Sequence, residues 1–117
     1  MSAVVEVYEE VAPDDPRALV LHRDYMQAVA VILGLPSPEP TEVSAGLGPP
    51  HGALLLATLD GSPVAIGGIR DLGGPAAEIK SMYVAPAARG RGIGRRTLGR
   101  LEALAVAGGC RATRLDT

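Results

Sequence analysis

The chain has 117 residues, enough for one domain with a modest core, and 47% of them are apolar although Phe and Trp are absent. Its formal net charge of −2 argues against general affinity for nucleic acid, and the lone Cys110 excludes an internal disulfide. Two His and one Cys make a structural zinc site a poor reading, and no stretch approaches the ~18–20 apolar residues of a membrane span. The acidic N-terminus has no leader-like apolar run, so the cytoplasm is the expected location.

Val4, Val5, Val7 and Val11 predict a first strand over Ala3–Glu10. Asp14-Asp15-Pro16 reads as a helix start, with Asp15 as N-cap and Pro16 at the first helical position. Leu19, Tyr25, Met26, Val29, Ile32 and Leu33 recur at helical spacing, and Gly34 is a fitting C-cap. Five prolines between Pro36 and Gly52 exclude regular structure there. Ala53–Leu59 and Val64–Ile69, split by Asp60-Gly61-Ser62-Pro63, form a hairpin of buried strands, and Gly73-Gly74-Pro75 turns the chain into a strand over Ala77–Val84. A helix is expected from about Gly94 to Ala107, stopped by Gly108-Gly109, and a last strand over Arg111–Asp116. The order β-α-β-β-β-α-β is an α/β chain with a mixed sheet, whose final βαβ unit brings two strands parallel.

Between the fourth strand and the second helix lies Arg89-Gly90-Arg91-Gly92-Ile93-Gly94-Arg95-Arg96. Five arginines fall within the twelve residues from Arg89 to Arg100, in a chain that is acidic overall. A strand, a glycine-rich turn and a helix N-terminus make a cradle for a pyrophosphate. Unobstructed backbone N–H groups, the helix dipole and guanidinium groups all favour negative charge there. Two familiar phosphate loops do not fit. The dinucleotide pattern G-x-G-x-x-G fails at Arg95, and a P-loop needs a Lys that is absent after these glycines.

Arg89-x-x-Gly92-x-Gly94, directly after Met82-Tyr83-Val84-Ala85-Pro86, resembles the coenzyme A motif of the GNAT superfamily of N-acetyltransferases, [QR]-x-x-G-x-[GA]. Leu98 and Leu101 downstream, and Thr113-Arg114-Leu115-Asp116-Thr117 as the next strand, extend the match. The resemblance implies the GNAT-like fold, acetyl-CoA as cosubstrate with no metal, and transfer of its acetyl group to a primary amine of a small molecule or peptide. It implies that backbone N–H groups of Gly90, Gly92, Ile93, Gly94 and Arg95 hold the pyrophosphate, with Arg89 and Arg91 beside it. The backbone of Met82 and Val84 would pair with the pantetheine, as an added strand does. A backbone N–H near Tyr83 would receive the oxyanion, and Glu78 would be the general base, directly or through water.

Plainer readings stand beside these. Arg96 and Arg100 read as a solvated helix face, Glu78 as an ordinary edge carboxylate, and Tyr83, Tyr25, Met26 and Cys110 as packing residues. His22 has no assigned role, while His51, in the proline-rich loop, could face the acceptor. The crowd of Glu6, Glu9, Glu10, Asp14 and Asp15 hints at a cationic acceptor such as a polyamine, though solvation explains it equally well.

The family pattern continues past Thr117 with a helix and a strand pair, and that helix often carries a Tyr that protonates the leaving thiolate. Tyr8, Tyr25 and Tyr83 all precede that point. The simplest expectation is a fragment of a longer protein, weakly stable or self-associating in isolation. A partner that supplies the missing layer, or a degenerate acyl-CoA-binding module, stays open. A homodimer is neither favoured nor excluded, and no membrane or nucleic-acid partner is expected. An Arg/Gly nucleic-acid segment lacks the interleaved aromatics such binding uses.

Overall fold

The computed structural model describes residues 4–36, 47–71 and 75–115. Its elements are β1 (Glu6–Val11), α1 (Pro16–Leu33), β2 (Gly52–Leu59), β3 (Ser62–Asp71), β4 (Ala76–Val84), a 3-10 turn (Pro86–Ala88), α2 (Ile93–Ala107) and β5 (Ala112–Leu115). The five strands form one mixed sheet in the order β1-β2-β3-β4-β5, antiparallel except for the β4–β5 pair. The anticipated element order is therefore present, with β1 starting three residues later than its valines suggest. The Gly73-Gly74 turn, Asp116-Thr117 and most of the proline-rich segment fall outside the described residues.

The local reasons are those written in the sequence. The Asp15 carboxylate accepts the Arg17 N–H at 2.9 Å, Pro16 opens α1, and Gly34 closes it at φ +68°. Asp60 and Gly61 both take positive φ, 49° and 84°, which suits the tight two-residue turn joining β2 to β3. The Asp60 side chain then accepts the Val5 N–H at 2.9 Å, tying the chain before β1 to that turn.

α1 and α2 cover opposite faces of the sheet. Leu54, Leu56 and Ile66 pack with Ala18 and Leu21 on the α1 face, while Leu55, Ile69, Ala77 and Ile79 pack with Leu101 and Ala105 on the α2 face. Burying each such side chain is worth about 1.5–3 kcal/mol, so period-two alternation in β2 holds both layers. Two glycines at the centre of β3 let them close. A Cβ on Gly67 would lie 2.6 Å from Met82 Sδ and 2.8 Å from Leu101 Cδ1, and one on Gly68 would lie 2.5 Å from Leu47 Cδ1.

β4 carries the feature that shapes the rest. Ser81 has φ +57°, and the register to β3 slips there, from Gly68↔Lys80 to Ile66↔Tyr83. The bulge inverts the alternation. Ala77, Ile79, Met82 and Val84 pack on the α2 side, while Tyr83 packs against the α1-side cluster. Among the described residues no helix is long and apolar enough to cross a membrane.

Candidate functional site

The segment from Val84 to Ile93 is pegged from below. Ala88 (4% exposed) and Ile93 (1%) pack with Ala57, Val64, Ala65 and Val84, so the loop between them is fixed at both ends by apolar contact. Gly90 and Gly92 take φ of 83° and 78°, the left-handed conformation that a side chain resists. α2 then begins at Gly92 with no side-chain cap and no acidic residue in its first turn. The first intrahelical bond is the Arg96 N–H to Gly92 O, at 3.0 Å. The opening N–H groups of α2, on Ile93, Gly94 and Arg95, therefore find no acceptor within the helix.

Around this cradle the arginines divide into two kinds. Arg89 donates from Nε to Val84 O at 3.0 Å and lies 5.7 Å from the Tyr83 ring centre, while among the described residues no carboxylate pairs with Arg89, Arg91 or Arg95. Arg96 and Arg100 are exposed, as expected of a solvated face, yet each has a partner. Arg96 is forked onto Glu6, with Nε 2.6 Å from one carboxylate oxygen and Nη2 3.0 Å from the other. Arg100 lies over the Tyr8 ring at 4.4 Å. The Tyr8 hydroxyl donates to the Glu6 carboxylate, and together the Arg96 and Tyr8 contacts hold that carboxyl below its ordinary range.

Met82–Val84 run up to the cradle beside β3, with Tyr83 opposite Ile66 and Val84 opposite Ala65. On the other side the last β4–β5 pair is Ile79↔Leu115, so this upper half of β4 lies beyond the described end of β5. A chain-like ligand leaving the cradle would meet strand backbone here.

The bulge puts Glu78 and Tyr83 on the same, α1-side face. Glu78 is mostly buried (side chain 13% exposed), with Oε1 2.7 Å from Arg70 Nη2 and 3.9 Å from Lys80 Nζ. The ion pair is cross-strand, since Arg70 and Glu78 are register partners. Further along this face the Tyr83 ring lies 6.0 Å from Tyr25, which lies 6.0 Å from His22. His22 is 5% exposed, its Nδ1 has no hydrogen-bond partner among the described residues, and burial lowers its pKa below the ordinary 6.5.

Three other expectations can be placed. His51 lines a cavity of about 210 Å³ with Leu104, Ala105 and Cys110 near the C-terminal end of α2, on the opposite face from Glu78. Cys110 is half-buried rather than buried. The acidic N-terminal crowd is largely spent on internal pairs, Glu6 on Arg96, and Glu9 and Asp15 on Arg17. Among the described residues no three His, Cys, Asp or Glu side chains come close enough to hold a metal ion.

The family model described as Acetyltransferase (GNAT) family matches residues 5–117. The chain belongs to that family. No curated protein matches it. Among solved structures it is similar to a Klebsiella pneumoniae protein assigned as an acyl-CoA N-acyltransferase, at 26% identity and TM-score 0.75, over 94% of this chain and 70% of that one. The BH1408 protein of Bacillus halodurans (a tetramutant) shares the fold at 21% identity and TM-score 0.80, over 95% and 82%. So does an aminoglycoside acetyltransferase from an uncultured soil metagenomic sample, solved with sisomicin, at 14% identity and TM-score 0.70, over 96% and 77%.

Proposed function

We propose that this GNAT chain, acting as one acetyltransferase domain, transfers the acetyl group of acetyl-CoA to a primary amine of a small molecule. The observation that carries the reading is the uncapped start of α2, which follows two left-handed glycines and lies beside arginines that no described carboxylate neutralises. A pyrophosphate satisfies those donors and charges together. In this reading Gly90, Gly92, Ile93, Gly94 and Arg95 hold it through their N–H groups, with Arg89 and Arg91 alongside. Met82 and Val84 offer backbone to the pantetheine.

The cosubstrate supplies an activated thioester carbonyl. Glu78 removes a proton from the incoming ammonium, directly or through one water. The freed amine nitrogen bonds to the acetyl carbon, the carbon–sulfur bond breaks with its electrons leaving on sulfur, and the surplus proton on that nitrogen passes to the thiolate, directly or through water. A backbone N–H near Tyr83 stabilises the oxygen as it gains charge. The α1-side face around Glu78 and Tyr83 receives the acceptor. The solved aminoglycoside acetyltransferases of this fold support a small-molecule amine.

A second reading is favoured by one contact. Glu78 is already tied to Arg70 at 2.7 Å, as it would be in an acyl-CoA-binding module that does not turn over. Calorimetric titration of acetyl-CoA, followed by acetyl transfer to a panel of primary amines, separates the two. For the enzyme, Glu78→Gln lowers kcat about a hundredfold and leaves acetyl-CoA affinity unchanged. Binding without transfer to any amine supports the module, and no binding to the folded chain overturns both.

A further inference from the structure

Arg96 holds both peptides that flank Gly92. Its backbone N–H donates to Gly92 O at 3.0 Å, and its guanidinium reaches back so that Nη2 donates to Arg91 O at 2.9 Å. In a trans peptide the carbonyl and the following N–H point opposite ways. Anchoring Arg91 O on Arg96 therefore turns the Gly92 N–H away from that guanidinium.

The anchor has its own support. A free arginine side chain loses about 2 kcal/mol of rotamer entropy when fixed. Here Nε and Nη2 are already forked onto the two Glu6 oxygens, and Glu6 is also held by the Tyr8 hydroxyl. Glu6 and Arg96 are ninety residues apart, so β1, at the far edge of the sheet from β4, is what braces the loop. Glycine at position 92 is part of the device. A Cβ there would lie 2.8 Å from Arg96 Nη1, so a side chain would displace the guanidinium from its place across the loop.

We propose that Glu6 and Arg96 are positioning residues of the cradle, orienting the Arg91–Gly92 peptide for a pyrophosphate that neither touches. The inference rests on the cradle reading above. Arg96 is thereby a strut rather than a phosphate ligand, its charge matched by Glu6, and anion contact is left to its neighbours.

The test uses the full chain, coenzyme A as probe, and the Gly92 amide resonance of the ligand-free protein. Arg96→Ala removes the donor to Arg91 O and weakens coenzyme A binding about tenfold, the scale of one lost charge-assisted hydrogen bond. Glu6→Gln leaves the donor but loosens it, for about a threefold loss. The double variant binds no more weakly than Arg96→Ala alone, because the two act as one unit. In the ligand-free protein both single variants shift the Gly92 amide resonance. The exchanged pair, Glu6→Arg with Arg96→Glu, separates positioning from plain ion pairing. It restores the ion pair, yet a carboxylate at position 96 cannot donate to Arg91 O, so affinity stays low. Recovery of affinity in the exchanged pair, or an unmoved Gly92 resonance in Glu6→Gln and Arg96→Ala, overturns the proposal. A wild-type chain that binds no coenzyme A overturns the cradle reading instead, and the ligand-free resonance still judges the clamp.

Discussion

The two helices of this chain begin in opposite ways. α1 satisfies its own opening donors, with the Asp15 carboxylate on the Arg17 N–H and Pro16 contributing no N–H at all. α2 opens on a left-handed glycine with no side-chain cap. A glycine in place of a capping side chain forgoes only a few tenths of a kcal/mol, so leaving this start open costs the fold little. Where one chain caps the first helix fully and leaves the second open, the open donors are the place to test for a ligand. The contrast extends to what each helix buries. Thr97 of α2 returns its hydroxyl to Ile93 O at 2.8 Å, whereas His22 of α1 keeps a buried nitrogen without a partner among the described residues. The helix closed at its end is unsettled within, and the one open at its end is settled within.

Closing α2 as α1 is closed gives the largest expected effect. Gly92→Asp places a carboxylate where the anion would sit and crowds Arg96, so acetyl-CoA affinity should fall at least about a hundredfold by calorimetry. An unchanged affinity would break the contrast, because the α2 start would then be an ordinary loop. Opening α1 is the reciprocal experiment. Asp15→Ala should cost about 1 kcal/mol in denaturant unfolding and leave acetyl-CoA affinity within error of wild type.

The smallest effect concerns His22, whose folded pKa lies below the 6.5 of the unfolded chain. The unfolded state therefore binds the proton first as pH falls. Stability is whole above 6.5, declines as pH drops below it, and levels off once pH passes the lower folded value. His22→Leu should flatten that slope, read as the difference in melting temperature between pH 7.5 and pH 5. A slope that persists unchanged would assign it to other groups.

What was legible in the sequence was local. Asp15, Pro16 and Gly34 announce α1, Asp60-Gly61 announces a hairpin, and Arg89-x-x-Gly92-x-Gly94 announces the cradle, because each works within a few residues of itself. The Arg70–Glu78 pair was within reach, since both residues lie four positions from 74 in two strands that the sequence predicts to be consecutive. Two features had no local signal. Ser81 is not a residue type that advertises positive φ, and its bulge is imposed by the pairing of β4 with β3. The Glu6–Arg96 fork depends on the whole sheet bringing β1 under the start of α2. Arg96 alone reads as solvated, and only the fold supplies its partner.

The bulge at Ser81 makes β4 two half-strands in antiphase. The lower half offers Ala77 and Ile79 to α2 and the upper half offers Met82 and Val84 to the same helix, although the two sets differ in parity. Ser81 thus works as a frameshift in the pleat. Excising that one residue would leave a regular alternation with every side chain on its present side, whereas in a regular strand that kept it every side chain above it would change sides. Tyr83 would be driven toward α2, Met82 and Val84 would turn toward α1, and the stem leading into the cradle would face the wrong layer. Glu78 and Tyr83 share one face, and Met82 and Val84 the other, only because that strand is out of step with itself.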